Sequence, residues 1–112
     1  MTSDGEAAND RDQLVAFLVE LGKLLILSGE SVDVIRRRLL TVARVADASD
    51  LDIVVLPTVL LVQAGGMSSG QVRLTSAVSG VRLRLDQVSA VYDLSGRVER
   101  GEVSISDAHA EV

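Results

Sequence analysis

The sequence predicts an α+β fold, with a helix hairpin, a small antiparallel-rich sheet of three or four strands, then one long and one short helix. Two observations lead to this prediction. Apolar residues recur at helical spacing on both sides of the middle of the chain. Between these helical patterns, residues 51–63 are mostly β-branched and aliphatic, and they contain Pro57, the only proline. Helices that flank a block of strands, without alternating with them, are typical of α+β proteins.

The composition excludes several classes of function. The chain has 112 residues, enough for one domain with its own core, and 47% of them are apolar. It contains no cysteine, which excludes disulfide scaffolds, thiol catalysis and thiolate zinc sites. With a net charge of −5 and only one Phe and one Tyr, it is poorly suited to bind nucleic acid. We therefore expect no nucleic-acid partner, no metal and no cofactor.

The first ten residues differ from the rest of the chain. Residues 1–10 are acidic and polar, which predicts a disordered lead-in to a single α+β domain over residues 11–112. They lack the basic and apolar regions of a secretory signal. The most apolar helical stretch, residues 14–27, is shorter than the roughly 20 residues of a membrane span and contains Glu20 and Lys23. We therefore expect a soluble chain with no transmembrane segment.

Two helices are predicted to form an antiparallel hairpin before the strands. The first starts near Asp10 or Asp12 and is apolar on more than one side. Gly29 suits a left-handed cap at its end, and Ser28 or Ser31 can cap the second helix. The second helix is expected to place an apolar set on one face and Arg36, Arg37 and Arg38 mainly on the other. The apolar set is Val32, Ile35, Leu39, Val42 and either Val45 or Ala46.

Alternating side chains predict the strands. The first strand ends at Pro57, which cannot donate a ladder hydrogen bond, and residues 59–63 form the second. Residues 71–77 form the third. Its apolar and polar residues alternate, so one face of the sheet is expected to be solvated. The alternating sets are Val72, Leu74 and Ser76 against Arg73 and Thr75.

The chain after the strands predicts two helices. Residues 81–85 either extend the sheet or lead into a long helix over residues 86–100, which Gly101 ends. A short fourth helix begins near Ser104, which resembles a capping box with Asp107. The apolar set of the long helix is Leu85, Val88, Val91, Tyr92, Leu94 and Val98.

Several strings, in their order and spacing, resemble the N-terminal domain of the threonine/serine exporter family of bacterial and fungal transporters. The strings are Leu27-Ser-Gly-Glu-Ser31, Leu39-Leu-Thr-Val-Ala-Arg44, Leu56-Pro-Thr58, Leu85-Asp-Gln-Val-Ser-Ala-Val-Tyr-Asp-Leu-Ser95 and Gly101-Glu-Val-Ser104. Together they extend over nearly the whole chain. In the family, the last two strings correspond to a helix, a glycine-glutamate turn and a helix that leads to the first membrane span.

The resemblance implies proton-motive-force-driven export of small amino acids or related small carboxylates by a complete assembly. This chain would be its soluble, non-enzymatic N-terminal domain or subunit, with a regulatory, scaffolding or substrate-recognition role. Its partner would be the membrane-spanning portion or subunit of the same transporter, at the cytoplasmic face of the bacterial inner membrane. Two alternatives stay open: a stand-alone module that forms homo-oligomers through apolar surfaces, and a small hydrolase-like domain.

Two places are candidate sites for a small amino acid or carboxylate. Gly29 and Ser31 lie at a helix N-terminus, where free N–H groups favour anions, although a capped turn is the simpler interpretation. Pro57 and Thr58 could present a hydroxyl in a pocket at a strand end, although a simple strand break explains them equally well.

The basic residues form a third candidate. Arg36, Arg37 and Arg38, with Arg73, Arg82 and Arg84, could form a basic face for a carboxylate, lipid headgroups or a partner domain. A solvated surface is the simpler interpretation, because three successive helical residues spread over roughly 200°.

His109 is the only histidine, and we expect it to be exposed near the end of the last helix. A metal site or a Ser-His-Asp triad would have to use it, so neither is expected. We assign no catalytic residue.

Overall fold

The computed structural model describes the backbone of residues 4–48, 51–56, 59–64, 71–76 and 83–111, and their side chains except in 4–11, 64 and 71–76. The order of helices and strands confirms the predicted α+β class. The elements are α1 (Asp4–Leu27), α2 (Val32–Val45), β1 (Asp52–Val55), β2 (Val59–Ala64), β3 (Gln71–Ser76), α3 (Leu85–Glu99) and α4 (Ile105–Glu111). Pro57, Thr58, Val81 and Arg82 lie outside the described residues, whereas Leu83 and Arg84 are not in a strand and lead into α3.

Helix α1 begins earlier than its sequence predicts. It starts at Asp4, whereas the composition predicts a disordered lead-in up to Asp10 or Asp12. That prediction is wrong for residues 4–10, because extending an existing helix adds one hydrogen bond for each residue that is fixed. The segment also contains one Glu and two Ala, which are strong helix formers.

Helix α1 is the centre of the core. It contacts α2, β2, β3, α3 and α4, which explains why its apolar residues cover more than one side. Gly22 lies where α1 approaches its neighbours, since a Cβ there would overlap Leu60 Cδ2 and lie 3.1 Å from Leu39 Cδ1. The glycine therefore sets how closely α1 packs. The buried residues of this helix are Leu14, Val15, Phe17, Leu18, Leu21 and Leu25.

The three longer helices end in the same way. Gly29 has a left-handed φ of 83°, and the N–H groups of Gly29 and Glu30 donate to carbonyl groups in the last turn of α1. This Schellman arrangement satisfies carbonyls that a helix end leaves unpaired. Gly101, with φ 73°, ends α3 in the same way, so both glycine predictions are confirmed. Asp47 does the same for α2 with φ 62°, a conformation that favours glycine.

The sheet has the strand order β1-β2-β3, and both strand pairs are antiparallel. Beyond the strand register, the N–H of Leu56 donates to the carbonyl of Val59 at 2.8 Å. One face is buried on the helix side, and the other is solvated as predicted, although most of its described residues are aliphatic. We call the buried side the inner face (Ile53, Val55, Leu60 and Val62) and the opposite side the outer face (Asp52, Val54, Leu56, Val59, Leu61 and Gln63).

Helices α3 and α4 pack against the hairpin and correct two predictions. Leu85 was expected in the apolar set but is 83% exposed, because it is the first residue of α3 and no described element covers it. His109 is partly buried rather than exposed, because α4 packs against α1. Its ring meets Phe17 edge-to-face, with the ring centroids 6.2 Å apart. Ser104 caps α4 as predicted, and its Oγ accepts from the N–H of Asp107 at 3.1 Å.

Candidate functional site

The predicted anion site at the α1–α2 turn is filled by a side chain of the protein itself. Gly29 caps α1, and Ser31 is the N-cap of α2. Between them, Glu30 accepts a hydrogen bond on Oε1 from the backbone N–H of Ser31 at 2.9 Å. The N–H of Val34 donates to Ser31 Oγ at 3.3 Å. Two of the N–H groups expected to favour an anionic ligand are therefore already bonded within the turn.

The other carboxylate oxygen of Glu30 joins this turn to α3. The Tyr92 hydroxyl donates to Glu30 Oε2. This hydrogen bond, then the N–H of Ser31 and the charges of Arg38 and Arg37, hold the pKa of Glu30 below its ordinary value. Burial, followed by the same hydrogen bond, raises the pKa of Tyr92 to about 12. At neutral pH, Glu30 is therefore ionised and Tyr92 is neutral.

A second group of polar contacts lies between α2 and α3. Arg38 Nη1 donates to Glu99 Oε2 at 2.8 Å and to Ser95 Oγ at 3.4 Å. The hydroxyl of Ser95, which is fully buried, donates to the same Glu99 oxygen at 2.7 Å. The Arg38 guanidinium also lies 4.8 Å from the centroid of the Tyr92 ring, a cation–π contact. We call Glu30, Arg38, Tyr92, Ser95 and Glu99 the junction cluster.

The arginines predicted as a basic face have different surroundings. Arg36 Nε donates to the carbonyl of Ile53 in β1 at 3.3 Å. Arg37 is exposed, whereas Arg38, expected mainly on the solvated side, is partly buried against α3. The three consecutive arginines of α2 therefore point to different surroundings and do not form one basic face. The side chains of four other predicted site residues lie outside the described part of the chain: Pro57, Thr58, Arg73 and Arg82.

Sequence reasoning missed the junction cluster, although a signal for part of it was present. Tyr92, Ser95 and Glu99 follow the spacing i, i+3, i+7, which places them on one face of α3. Only Tyr92 was assigned there, as an apolar residue. The partners in the turn and in α2 become adjacent only when α3 packs across the hairpin, so local spacing alone could not identify them.

The cluster is suited to hold three elements together. Its two carboxylates, Glu30 and Glu99, are bonded to hydroxyl, guanidinium and backbone donors of the protein. Ser95 donates to a carboxylate, and His109 meets Phe17 on another helix, so their described contacts do not form a triad. Among the described residues, no group of His, Asp and Glu side chains could hold a metal ion.

Two of the strings that resemble a transporter family meet in this cluster. The string at residues 27–31 supplies Glu30, and the string at residues 85–95 supplies Tyr92 and Ser95. A family model described as "Putative threonine/serine exporter" matches residues 16–112, most of the chain. The chain belongs to the threonine/serine exporter family. This match confirms the resemblance found in the sequence.

Membership of the threonine/serine exporter family associates the chain with transport rather than with enzymatic catalysis. No curated protein and no solved structure matches the chain. None of the helices in the described part of the chain is long and apolar enough to cross a membrane.

Proposed function

We propose that this chain is the N-terminal domain, or a separate subunit, that serves a threonine/serine exporter-like transporter without crossing the membrane itself. Its place is the cytoplasmic face of the bacterial inner membrane. Its partner is the membrane-spanning portion of the same transporter, which exports small amino acids or related small carboxylates. The observation that supports this proposal is the family match over residues 16–112.

Within this proposal, the junction cluster favours a scaffolding or regulatory role over substrate recognition. Glu30 already accepts from the N–H of Ser31, and Glu99 already accepts from Arg38. A small carboxylate ligand would have to displace one of these internal carboxylates, each of which is held without loss of translational freedom. The cluster therefore fixes the orientation of α3 on the hairpin.

An export assay tests the proposal. Cells that natively contain the chain are loaded with threonine, and efflux is compared among wild-type cells, cells lacking the chain and complemented cells. We expect efflux to fall on deletion and to return on complementation. Unchanged efflux of threonine, serine and small carboxylates after deletion would refute the proposal.

A binding measurement separates scaffolding from substrate recognition. Titration of the purified chain with L-threonine, followed by NMR chemical shifts, should give no saturable change at Gly29 or Ser31. Saturable shifts at these residues, lost in Ser31→Ala, would instead restore the predicted substrate site.

Self-association is the second candidate, and one observation favours it. Helix α1, apolar on several sides, is buried within the domain, but the outer face of the sheet leaves Val54 46% and Leu56 52% exposed. Sedimentation equilibrium tests this alternative directly. A monomer whose mass is independent of concentration would exclude it.

A further inference from the structure

Most of the outer face of β1 and β2 is aliphatic, with Asp52 and Gln63 at one end, and no described element covers the aliphatic part. Val54 and Leu56 are about half exposed, and Val59 and Leu61 are partly exposed. Val54 is the register partner of Leu61, and directly paired residues share a face. Val54 and Leu61 therefore form the centre of an aliphatic patch on β1 and β2.

The exposed surfaces of the helices are different. Single exposed apolar residues are normal on a protein surface, whereas a contiguous apolar patch marks an interaction site. The outer face is such a patch. By contrast, the large exposed apolar residues of α2 and α3 are single residues on different helices, Val45 and Leu85. The charged exposed positions of these helices are Asp33, Arg36, Arg37, Arg44, Asp86 and Asp93.

The edge of β1 gives little opportunity for a partner strand. The carbonyl of Ile53 accepts a hydrogen bond from Arg36 Nε, so a side chain of α2 uses a backbone acceptor of this edge strand. Charged side chains at a sheet edge commonly prevent strand addition. Association at β1 is therefore expected through its face rather than through its edge.

The size of the face indicates which kind of partner fits. Three strands about 4.8 Å apart, with five residues rising about 3.3 Å each, give a surface on the order of 250 Å². A stable dimer of free copies needs about 800 Å² from each copy, roughly three times as much. Interfaces between domains of one assembly begin at about 600 Å² of total buried surface. Each side then contributes about 300 Å², which is close to the area of this face. A partner that is already held nearby needs less contact, because its effective concentration is high.

We propose that the outer face of the sheet docks this domain onto an apolar surface of the membrane-spanning part of the exporter. This inference rests on the proposed function, because it takes that part as the partner. Asp52 and Gln63 are paired at one end of this face, so contact through the aliphatic residues beyond them excludes water without burying that carboxylate. The charged surfaces of α2 and α3 remain in solvent.

The lack of cysteine in the chain allows a direct test. Val54→Cys and Leu56→Cys each place a single thiol on the outer face, and Ala90→Cys places a control thiol on the exposed side of α3. Each variant is produced in the native cells, and the rate of maleimide labelling is compared between native membranes and the purified chain. We expect thiols 54 and 56 to react at least about tenfold more slowly in membranes, and thiol 90 to react equally fast in both.

Several outcomes would overturn the inference. Equal labelling rates at positions 54 and 90 in membranes would refute docking through the outer face. If deletion of the chain still reduced export, the proposed function would stand. Protection of position 54 in the purified chain that grows with concentration would make a second copy the partner. Protection on vesicles of extracted lipid alone would make it the lipid surface. Export that does not depend on the chain would refute the proposed function itself.

Discussion

Both faces of strands β1 and β2 contain aliphatic residues, yet the fold buries only one of the two faces. On the inner face, Ile53 and Leu60 are 4% and 0% exposed, whereas Val54 and Leu56 on the outer face are 46% and 52% exposed. A sheet with one solvated face usually alternates apolar and polar residues. Packing within the domain explains the inner face. Nothing in the described part of the chain explains the outer face, and docking on a partner does.

The difference in burial predicts that substitutions on the two faces have different effects. Changes on the inner face and in the helices behind it should alter the free energy of unfolding. Changes on the outer face should alter association and leave the free energy of unfolding nearly unchanged.

The largest effect is expected at Leu60, which is fully buried on the inner face. Leu60→Ala leaves a cavity beneath α1 and should lower the free energy of unfolding by about 2–5 kcal/mol. Leu56→Ala is the same change on the outer face and should lower it by less than about 0.5 kcal/mol. Urea unfolding followed by circular dichroism measures both, and equal losses would erase the distinction between the faces.

The next effect is expected in the junction cluster, where the side chains of Arg38 and Glu99 are 29% and 19% exposed. Arg38→Met leaves Glu99 with only the Ser95 hydroxyl and should lower the free energy of unfolding by about 1–3 kcal/mol. The lower part of this range is expected, because Arg38 Nε is buried without a hydrogen-bond partner among the described residues.

The matched control for this change is Arg100→Met. It removes an exposed ion pair with Glu102, so the free energy of unfolding should change by less than about 0.5 kcal/mol. The two variants are compared by the same urea titration. If Arg38→Met were as mild as its control, the cluster would not hold α2 against α3.

Replacing each of two helical glycines by alanine tests the packing behind the inner face. Alanine favours a helix over glycine by about 1 kcal/mol. In Gly96→Ala the new methyl meets only the end of the exposed Arg100 side chain, so the domain should gain about 0.5–1 kcal/mol. In Gly22→Ala the methyl overlaps buried Leu60, so the domain should lose about 1–2 kcal/mol. Thermal unfolding should move in opposite directions, and a rise for both would indicate loose packing between α1 and β2.

The smallest effect concerns the hydrogen bond between Tyr92 and Glu30. Because the pKa of Glu30 is lowered in the folded state, its stabilisation is present above the ordinary value of 4.5 and is lost as pH falls through the folded value. Because the pKa of Tyr92 is raised, its stabilisation is present below pH 10 and is lost as pH rises towards about 12.

Tyr92→Phe removes this hydrogen bond and should lower the free energy of unfolding at neutral pH by about 0.5–1 kcal/mol. It should also weaken the decrease in the free energy of unfolding at acid pH. The decrease at alkaline pH that comes from ionisation of the tyrosine should disappear. Urea unfolding across the acid and alkaline range measures both limbs. Tyr92 is the only tyrosine, so its own titration can be followed by ultraviolet absorption. If the decrease at acid pH were unchanged in Tyr92→Phe, groups other than Tyr92 would be lowering the pKa of Glu30.

Local rules made part of the structure predictable from the sequence. Gly29 and Gly101 end helices because their backbone conformation needs no tertiary contact, and Ser31 and Ser104 cap the next helices for the same reason. The alternation of buried and exposed residues along β1 follows from strand geometry alone.

The candidate site was less predictable, because its contacts join distant parts of the chain. Glu30 and Tyr92 are 62 positions apart, and Arg38 and Glu99 are 61 apart. The sequence located the turn at Gly29 and Ser31 but could not show that Glu30 fills the expected anion position. The aliphatic patch on the outer face of β1 and β2 likewise requires the register between these strands, which no single strand reveals.

Replacing Val54 by lysine tests most directly whether the outer face serves association rather than folding. Lysine is well tolerated at sheet edges, so Val54→Lys should leave the free energy of unfolding within about 0.5 kcal/mol of the unchanged chain. It should abolish recovery of the chain with native membranes and the export of threonine, while Ala90→Lys leaves both intact. A Val54→Lys chain that unfolds, or one that still binds membranes and supports export, would contradict the assignment of the outer face to docking.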